Sequence, residues 1–367
     1  MHRSQASRPR TLHRIGGAIL GVSAAWFLLT RSGDLLAAVG SVASLGPAIL
    51  PAGLGLVALG VINRGNQARV AHRLVGVPAD LAPMVELSAS SYATNKVVKS
   101  CGVAGLLPFL ADARRRGHSR AKVAAAYVSM KLAETMSLCG LIALAVLGGI
   151  ATGALHGAVL YGAIASLAYA AIITVALLVL GSSRSTADAT VMLARRVSSR
   201  IRVLLHRPER EPRPSNGGEI VDALARLRSD PISGLPLLLT AVAGKIIGVA
   251  CLALVLTGLG VGIGLPATVL IFTLTLMASM IGPFPGGIGV AEASLGALLV
   301  ARGVPAPTAA AAVIAFRLLD LWLPLLAGVL GGLAHSRRVA AERDVLRCDD
   351  EFSTTPATFP IVLPVPA

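Results

Sequence analysis

Residues 232–259 read ISGLPLLLTAVAGKIIGVACLALVLTGL, and Lys245 is the one charged residue among them. A helix rises about 1.5 Å per residue, so about 20 apolar residues cross the hydrocarbon core of a bilayer, which is about 30 Å thick. A run this long and this apolar predicts a transmembrane helix.

The whole chain has the same apolar character. Of its 367 residues, 54% are hydrophobic and 14% are charged, and the mean hydropathy is +0.75. This composition is typical of a polytopic membrane protein rather than of a soluble domain. Five more apolar runs bring the expected number of full crossings to about six, and they lie at 15–29, 42–62, 121–150, 157–181 and 308–334. We therefore predict an all-α integral membrane bundle.

The first of these runs follows a basic N-terminal tail at 1–14, which is also how a secretory signal peptide begins. Residues 31–34, which come after the run, lack the small-residue pattern of a cleavage site. We expect a retained first helix and a transmembrane domain that extends over 15–338.

The distribution of basic residues predicts the orientation of the chain. The net charge is +15, and Lys and Arg concentrate at 1–14, 64–73, 114–122, 184–228 and 337–338. Loops enriched in these residues face the cytoplasm. We expect a bacterial-type plasma membrane protein with both termini cytoplasmic, a cytoplasmic linker at 182–231 and a disordered cytoplasmic tail at 339–367. Nucleic acid is not an expected partner, because no aromatic residues are interleaved with the arginines.

Cysteine and histidine form no metal or redox motif in the sequence. The four cysteines have no CxxC spacing, and the seven histidines form no HExxH or His–Cys cluster. We expect no cofactor and no metal. An enzyme is also not expected, because Glu292 with His118 or His335 does not make a catalytic set that the sequence brings within reach.

Two segments have to begin and end on the same side of the membrane. Residues 81–111 are too polar for an ordinary span and lie between two basic segments, so we predict a re-entrant hairpin that enters from the cytoplasm and turns near Asn95. Residues 260–303 have to begin and end outside. Within them, 265–300 fit either a second re-entrant hairpin or two full crossings, because both have the same parity.

The two segments belong to a repeat in the sequence. A cation and, three residues later, an anion follow Gly117 at the same intervals as they follow Gly303. The two pairs are Lys131 with Glu134 and Arg317 with Asp320. We predict an inverted internal repeat, with a first copy at 81–150 and a second at 265–336. Inverted repeats with broken helices are the basis of many transporters, so the pattern favours transport.

Ionisable residues inside apolar segments predict the functional site. A charge at a helix centre costs about 2.5 to 3.5 kcal/mol in lipid, so these residues must face protein or water. The i,i+3 spacing puts both members of each pair on one helix face, where they serve a binding site or are salt bridges that pack the repeats. Cations exceed anions, which favours an anionic ligand, although Lys96 and Lys99 are equally able to extend to lipid headgroups. The candidate binding residues are Lys96, Lys99, Lys131, Glu134, Lys245, Gly286, Gly287, Gly289, Glu292, Arg317 and Asp320.

Three of these candidates are glycines of the run GPFPGGIGVAE at 282–292. Its prolines end one helix, and its glycines allow a sharp turn and a close approach. The helix that follows offers unpaired N–H groups at its N-terminus, where anions are favoured. This turn therefore predicts part of an anion site.

The same run, followed by Gly303 and by the Arg317-Leu318-Leu319-Asp320 motif, resembles the lysylphosphatidylglycerol synthase transmembrane region, also called the flippase-like domain. The resemblance covers roughly 15–338. By this resemblance, Glu292, Arg317 and Asp320 occupy the Pro-Gly-Gly-x-Gly-x-x-Glu and Arg-x-x-Asp positions of the family. The first hairpin departs from the family, because it lacks a Pro-Gly turn and has Gly105 in the place of Glu292.

The resemblance implies movement of aminoacylated or other anionic phospholipids, or of lipid-linked glycans, between leaflets. The residues after Arg338 are too few for a soluble aminoacyl-transferase domain, so we do not expect this chain to make lysylphosphatidylglycerol by itself. The alternative is an accessory membrane subunit that recruits a separate lipid-modifying or glycosyl-transfer enzyme.

Overall fold

The computed structural model describes residues 46–98, 102–151, 231–281 and 285–353, together with five single helical residues between 164 and 175. These ranges are helical and contain no strand. The predicted helix at 15–29, nearly all of the predicted helix at 157–181 and the linker at 182–231 lie outside the described residues.

The first half of the described chain contains four α-helices. They are α1 (Ile49–Leu74), α2 (Leu81–Val97), α3 (Leu106–Arg115) and α4 (Arg120–Ala151). A single 3₁₀ turn, Val103–Gly105, joins α2 to α3.

The second half contains five more. They are α5 (Pro231–Gly258), α6 (Leu265–Ile281), α7 (Val290–Ala301), α8 (Ala306–Arg317) and α9 (Leu323–Ser353). A 3₁₀ turn, Pro285–Gly287, precedes α7, and one π-helical turn, Leu318–Trp322, joins α8 to α9.

Among the described residues, three helical segments are long and apolar enough to cross a membrane: Arg120–Ile150, Ile232–Gly258 and Ala306–Ala341. They coincide with three of the predicted spans. Large apolar side chains remain exposed on them, at Leu144, Leu147, Leu235, Leu239, Ile246, Leu326 and Leu330. Exposed apolar faces of this size are typical of helices that have lipid as their solvent. The chain is therefore a helical membrane protein.

Helix α1 corrects one prediction. The sequence predicts a span that ends at 62 and a cytoplasmic loop at 64–73, whereas α1 continues without interruption to Leu74. The reason is that protein covers the polar half of the helix. Gln67 and His72 are buried there, and Gly65 lies so close to α2 that a methyl group would overlap Val85.

Gly117 and Gly303, the glycines that mark the repeat, have the same structural role. Both have positive φ, 70° and 82°, which side chains rarely adopt. Each follows a short helix, α3 or α7, and precedes a long helical segment. We call the two predicted copies units: the first consists of α2 to α4 and the second of α6 to α9. The two units share one element order: a helix, a 3₁₀ turn, a short helix and a long helix.

The turn inside each unit lies beside the same position of that unit's long helix, measured from the start of the helix. Lys131 lies about 16 Å along α4 and Arg317 about 16 Å along α8, at 1.5 Å per residue. Gly102, in the first turn, accepts a hydrogen bond from Tyr127 Oη, one helical turn before Lys131. Gly286, in the second turn, accepts one from Arg317 Nη2 at 3.2 Å. Both turns therefore lie about 16 Å from the start of the adjoining long helix.

The position of the first turn differs from the prediction. The sequence predicts a turn near Asn95, but Asn95 lies in the last turn of α2, which ends at Val97. Asn95 instead binds the turn from the side, because its Oδ1 accepts a hydrogen bond from Gly105 N at 2.7 Å. The polar amide therefore closes the hairpin rather than forming its tip.

The two hairpins enter the bundle from opposite ends of α4. At the end where α4 begins, Val123 of α4 lines a cavity together with Met84 near the start of α2 and Asp112 near the end of α3. At the other end, Gly148 of α4 lies next to Pro266, the second residue of α6. The hairpin of α2 and α3 therefore opens towards one end of the molecule, and the hairpin of α6 and α7 opens towards the other.

Each unit packs its first helix against the other unit. Helix α2 packs along α9, and α6 packs along α4, so the first helix of each unit lies on the last helix of the other. Glycines allow the first of these contacts to be close, because a methyl group on Gly328 or Gly331 would press against the backbone of α2 at Ala89 or Glu86. The reciprocal packing joins the units into one bundle.

Helix α9 continues beyond the membrane-length segment. It ends at Ser353, whereas the sequence predicts a disordered tail that starts at 339. Residues 339–353 are therefore helical, which corrects the predicted boundary. Alanines and charged residues with high helix propensity follow Val339 and account for the continuation.

Candidate functional site

The centre of the candidate site is an ion pair between α7 and α8. Arg317, the last residue of α8, donates from Nε to Oε1 of Glu292 at 2.6 Å. The Arg317 side chain is 6% exposed and that of Glu292 is 31% exposed. A charge this deeply buried is stable only when it is paired. The two residues, both predicted from the sequence, therefore form the ion pair that keeps each charge stable inside the protein.

The glycine turn holds this pair in place. Gly286, Gly287 and Gly289 all have positive φ, at 66°, 69° and 83°. The second oxygen of Glu292 accepts the Gly289 backbone N–H at 2.7 Å, which satisfies one free donor at the start of α7. A Cβ at Gly287 would overlap Ser279 of α6, so the turn lies directly against that helix. The predicted role of the glycines in turning the chain is confirmed.

Asp320 lies on the other side of Arg317, at 3.8 Å from Nη1. It is part of the π-helical turn, which shifts the register of the helix at this point. The turn also leaves the Asp320 carbonyl free to accept a hydrogen bond from Tyr92 Oη of α2 at 2.6 Å. Single π-helical turns occur frequently at functional sites. This one links the charged end of α8 to the first hairpin.

An elongated cavity of about 540 Å³ lies between α7 and α8. Its inner end is formed by Glu292, Arg317 and Trp322, and its outer end by Val300 and Ala306. Between these ends the walls are apolar and mostly formed by small residues, at Ala293, Gly296, Ala309, Ala310, Val313 and Ile314. The cavity is therefore an apolar groove with a charged inner end.

A second ion pair lies at the equivalent place in the first unit. Lys131 Nζ binds Glu134 Oε2 at 2.8 Å within α4, and Lys131 lies 5.4 Å from the Tyr127 ring centroid. Tyr127 donates to the Gly102 carbonyl at 2.6 Å and accepts from Asn95. The predicted Lys131–Glu134 pair is confirmed, and it contacts the tip of its own hairpin through an aromatic ring.

Tyr92 gathers two further cations between the ion pairs. Arg64 of α1 stacks on the Tyr92 ring, with its guanidinium carbon 4.1 Å from the centroid. Lys96 lies 5.4 Å from the same ring. Cation–π contacts of this kind are worth more in a desolvated site than at a surface. Lys96 is therefore directed into the protein in this structure, and Arg64 joins the site.

The remaining predicted residues are less closely connected. Lys245 is half-buried on α5 and interacts electrostatically with Glu134 and Lys131. Lys99 lies outside the described residues. No group of three His, Cys, Asp or Glu side chains in the described ranges could hold a metal ion.

Sequence reasoning missed Arg64, Tyr92, Tyr127 and the structural role of Asn95. A usable signal was present for the tyrosines, because Tyr92 precedes Lys96, and Tyr127 precedes Lys131, by one i,i+4 step. Arg64 gave no such signal. Its contact depends on the packing of α1 against α2, which the sequence alone does not reveal.

Comparison with known proteins adds one finding. Residues 14–328 match the family model described as the lysylphosphatidylglycerol synthase TM region. The search of curated proteins finds none that matches.

Proposed function

This chain belongs to the lysylphosphatidylglycerol synthase TM region family, and from that premise we propose that it moves an anionic lipid between the leaflets of the plasma membrane. The lipid is a phospholipid or a lipid-linked glycan. The matched region is the membrane domain of that family and not its catalytic domain, so the proposed activity is transport rather than synthesis.

The groove between α7 and α8 carries this proposal. Small apolar residues along the groove suit an acyl or isoprenoid chain, and Arg317 at the inner end suits a phosphate. A guanidinium has five N–H donors, and Arg317 uses two of them on Glu292 and Gly286. Donors remain for a phosphate oxygen. A charged inner end on an apolar groove matches the two chemical parts of a lipid.

The charges around both hairpin turns also support an anionic ligand. The cations are Arg64, Lys96, Lys131, Lys245 and Arg317, and the anions are Glu134, Glu292 and Asp320. All eight residues are buried or half-buried. An excess of positive charge in such a place is costly, and a phosphate or carboxylate headgroup would reduce that cost.

We infer that the two hairpins are re-entrant in the membrane and that the two units form an inverted repeat. Their opposite directions along α4, the matching positions of their turns along the long helices and the packing of each first helix against the other unit support this inference. Such a repeat supplies two equivalent states, one open to each side. The headgroup would pass between Arg317 and Lys131 by way of Arg64 and Lys96, as the units rock against each other.

The test is leaflet exchange in vesicles that contain the purified chain. Fluorescent phosphatidylglycerol is placed in both leaflets, and dithionite then bleaches the outer one. We expect the inner pool to become accessible faster than in protein-free vesicles, and phosphatidylcholine to exchange more slowly. Equal rates with and without protein would refute lipid movement and favour the accessory subunit that recruits a lipid-modifying enzyme.

A further inference from the structure

A second group of buried charges lies at the end of the molecule where α4 begins, far from the glycine turn. His335 of α9 is at its centre, with a side chain that is 8% exposed. His335 Nε2 lies 3.2 Å from Asp112 Oδ1 of α3, and Nδ1 lies 3.5 Å from Glu86 Oε2 of α2. Neither contact has full hydrogen-bond geometry, so the ring is enclosed but weakly bound.

The charged groups around His335 come from every neighbouring element. They are Glu86 on α2, Asp112 on α3, Arg116 after α3, Arg338 on α9 and, beyond Asp112, His72 on α1. Arg338 binds the outer oxygen of Glu86 at 2.7 Å, and Arg116 binds Asp112 at 3.2 Å. The Glu86 oxygen that faces the histidine has no hydrogen bond.

The protonation state of the His335 imidazole determines how strongly the ring interacts with the two carboxylates. A neutral ring has one N–H and one lone pair, so one of the two carboxylates would face a lone pair. A protonated ring has two N–H groups and a positive charge, which attracts both carboxylates at 3.2 and 3.5 Å. The geometry, with an acid at each ring nitrogen, therefore fits the protonated form.

A route for the proton is also present. A cavity of about 320 Å³ reaches Asp112 from the same end of the molecule. Its lining includes the polar residues His72, Asp80, Arg116 and His118. A cavity of this size with polar lining residues can hold several waters, and such waters would carry a proton to Asp112.

We propose that Glu86, Asp112 and His335 form a proton-binding site that fastens the first hairpin to α9 when the proton is bound. The site joins α2 and α3 to α9, which is one of the two reciprocal contacts between the units. Binding of the proton holds that end closed, and its release allows α2 to separate from α9. Proton binding is thereby coupled to the opening of one side of the protein, whatever the ligand.

The experiment measures the distance between α2 and α9 as a function of pH. A Cβ on Gly332 would lie 3.8 Å from the Ser90 Cβ, which is the usual spacing in a disulfide. The pair Ser90→Cys and Gly332→Cys is introduced into the full chain with its four native cysteines changed to alanine. Disulfide formation is then followed at about pH 6 and about pH 8, with His335 present or changed by His335→Gln.

Comparison with the Gln variant removes the pH dependence of thiol oxidation itself. We expect the pH 6 to pH 8 ratio of cross-linking rates to be higher with His335 than with Gln by about fivefold, as for an ion pair of ordinary strength. Equal ratios would overturn the proposal. If His335→Gln does not fold, Asp112→Asn removes one of the two carboxylates beside the ring, and a lower pH 6 to pH 8 ratio than with Asp112 is expected. This readout does not depend on lipid exchange, so its result is independent of the result of the transport test.

Discussion

Arg317 and Glu292 approach to 2.6 Å and join the end of α8 to the start of α7, at the point where the apolar groove ends. The pair therefore stabilises the glycine turn and forms the charged end of the groove. Removal of either partner should change both stability and transport, and the two effects can be measured separately.

The first prediction concerns Arg317→Ala. Removal of a partner from a buried pair costs about 3 to 5 kcal/mol, and it also removes the proposed phosphate contact. We expect exchange of fluorescent phosphatidylglycerol to fall by at least about 100-fold, a loss of about 2.7 kcal/mol in the proposed contact. The matched control is Arg337→Ala, since Arg337 is exposed on α9. Normal exchange by a folded Arg317→Ala chain would rule out this role.

The second prediction concerns the groove. Gly296 lines its wall on α7, and a side chain there would project towards Val313. We expect Gly296→Leu to block lipid exchange while the Arg317–Glu292 pair stays intact. Gly140→Leu is the control, because Gly140 of α4 faces open space. Equal exchange rates in the two variants would show that the groove does not hold the lipid.

The third prediction concerns the turn. Gly287→Ala would place a methyl group 2.6 Å from the Ser279 Cβ at a φ of 69°. We expect the free energy of unfolding to fall by about 1 to 3 kcal/mol, because the strained backbone cannot relax away from α6. Gly289→Ala has positive φ but no neighbour within 4 Å, so a smaller loss is expected. Thermal unfolding in detergent compares the two, and the reverse order would contradict the turn geometry.

The fold and the candidate site are predictable from the sequence only in part. The apolar runs predict α4, α5 and the α8–α9 segment, because helices that are exposed to lipid consist mainly of apolar residues. Arg317 and Glu292 are predictable for a related reason: a charge inside an apolar run needs a partner. The end of α1 is not, because the burial of Gln67 depends on neighbours supplied by distant parts of the chain.

The same limit explains why the sequence predicts a loop at Arg64. Local sequence shows a charge after an apolar run, whereas the contact that retains it inside the bundle is with Tyr92 on α2. The break of the first hairpin after Val97 is also set by tertiary contacts, since Asn95 and Tyr127 close it from the side. Patterns predict elements here, and packing decides their ends.

The fourth prediction follows from that contact. Arg64→Ala removes one of the cations between the two ion pairs, and we expect anionic lipid exchange to slow by about tenfold, which is 1.4 kcal/mol. Arg64→Lys keeps the charge and should retain most of the activity, although its stacking on Tyr92 is weaker. An equal loss in both variants would indicate that the stacking, and not the charge, is what matters.

The proposed inverted arrangement of the two units is tested most directly by side-resolved cysteine labelling. Arg120→Cys marks the start of α4 and Ala306→Cys the start of α8, each in a chain without native cysteines. A membrane-impermeant maleimide should label the first position only from the cytoplasmic side and the second only from the opposite side. Labelling of both positions from one side would contradict the inverted repeat and the alternation built on it.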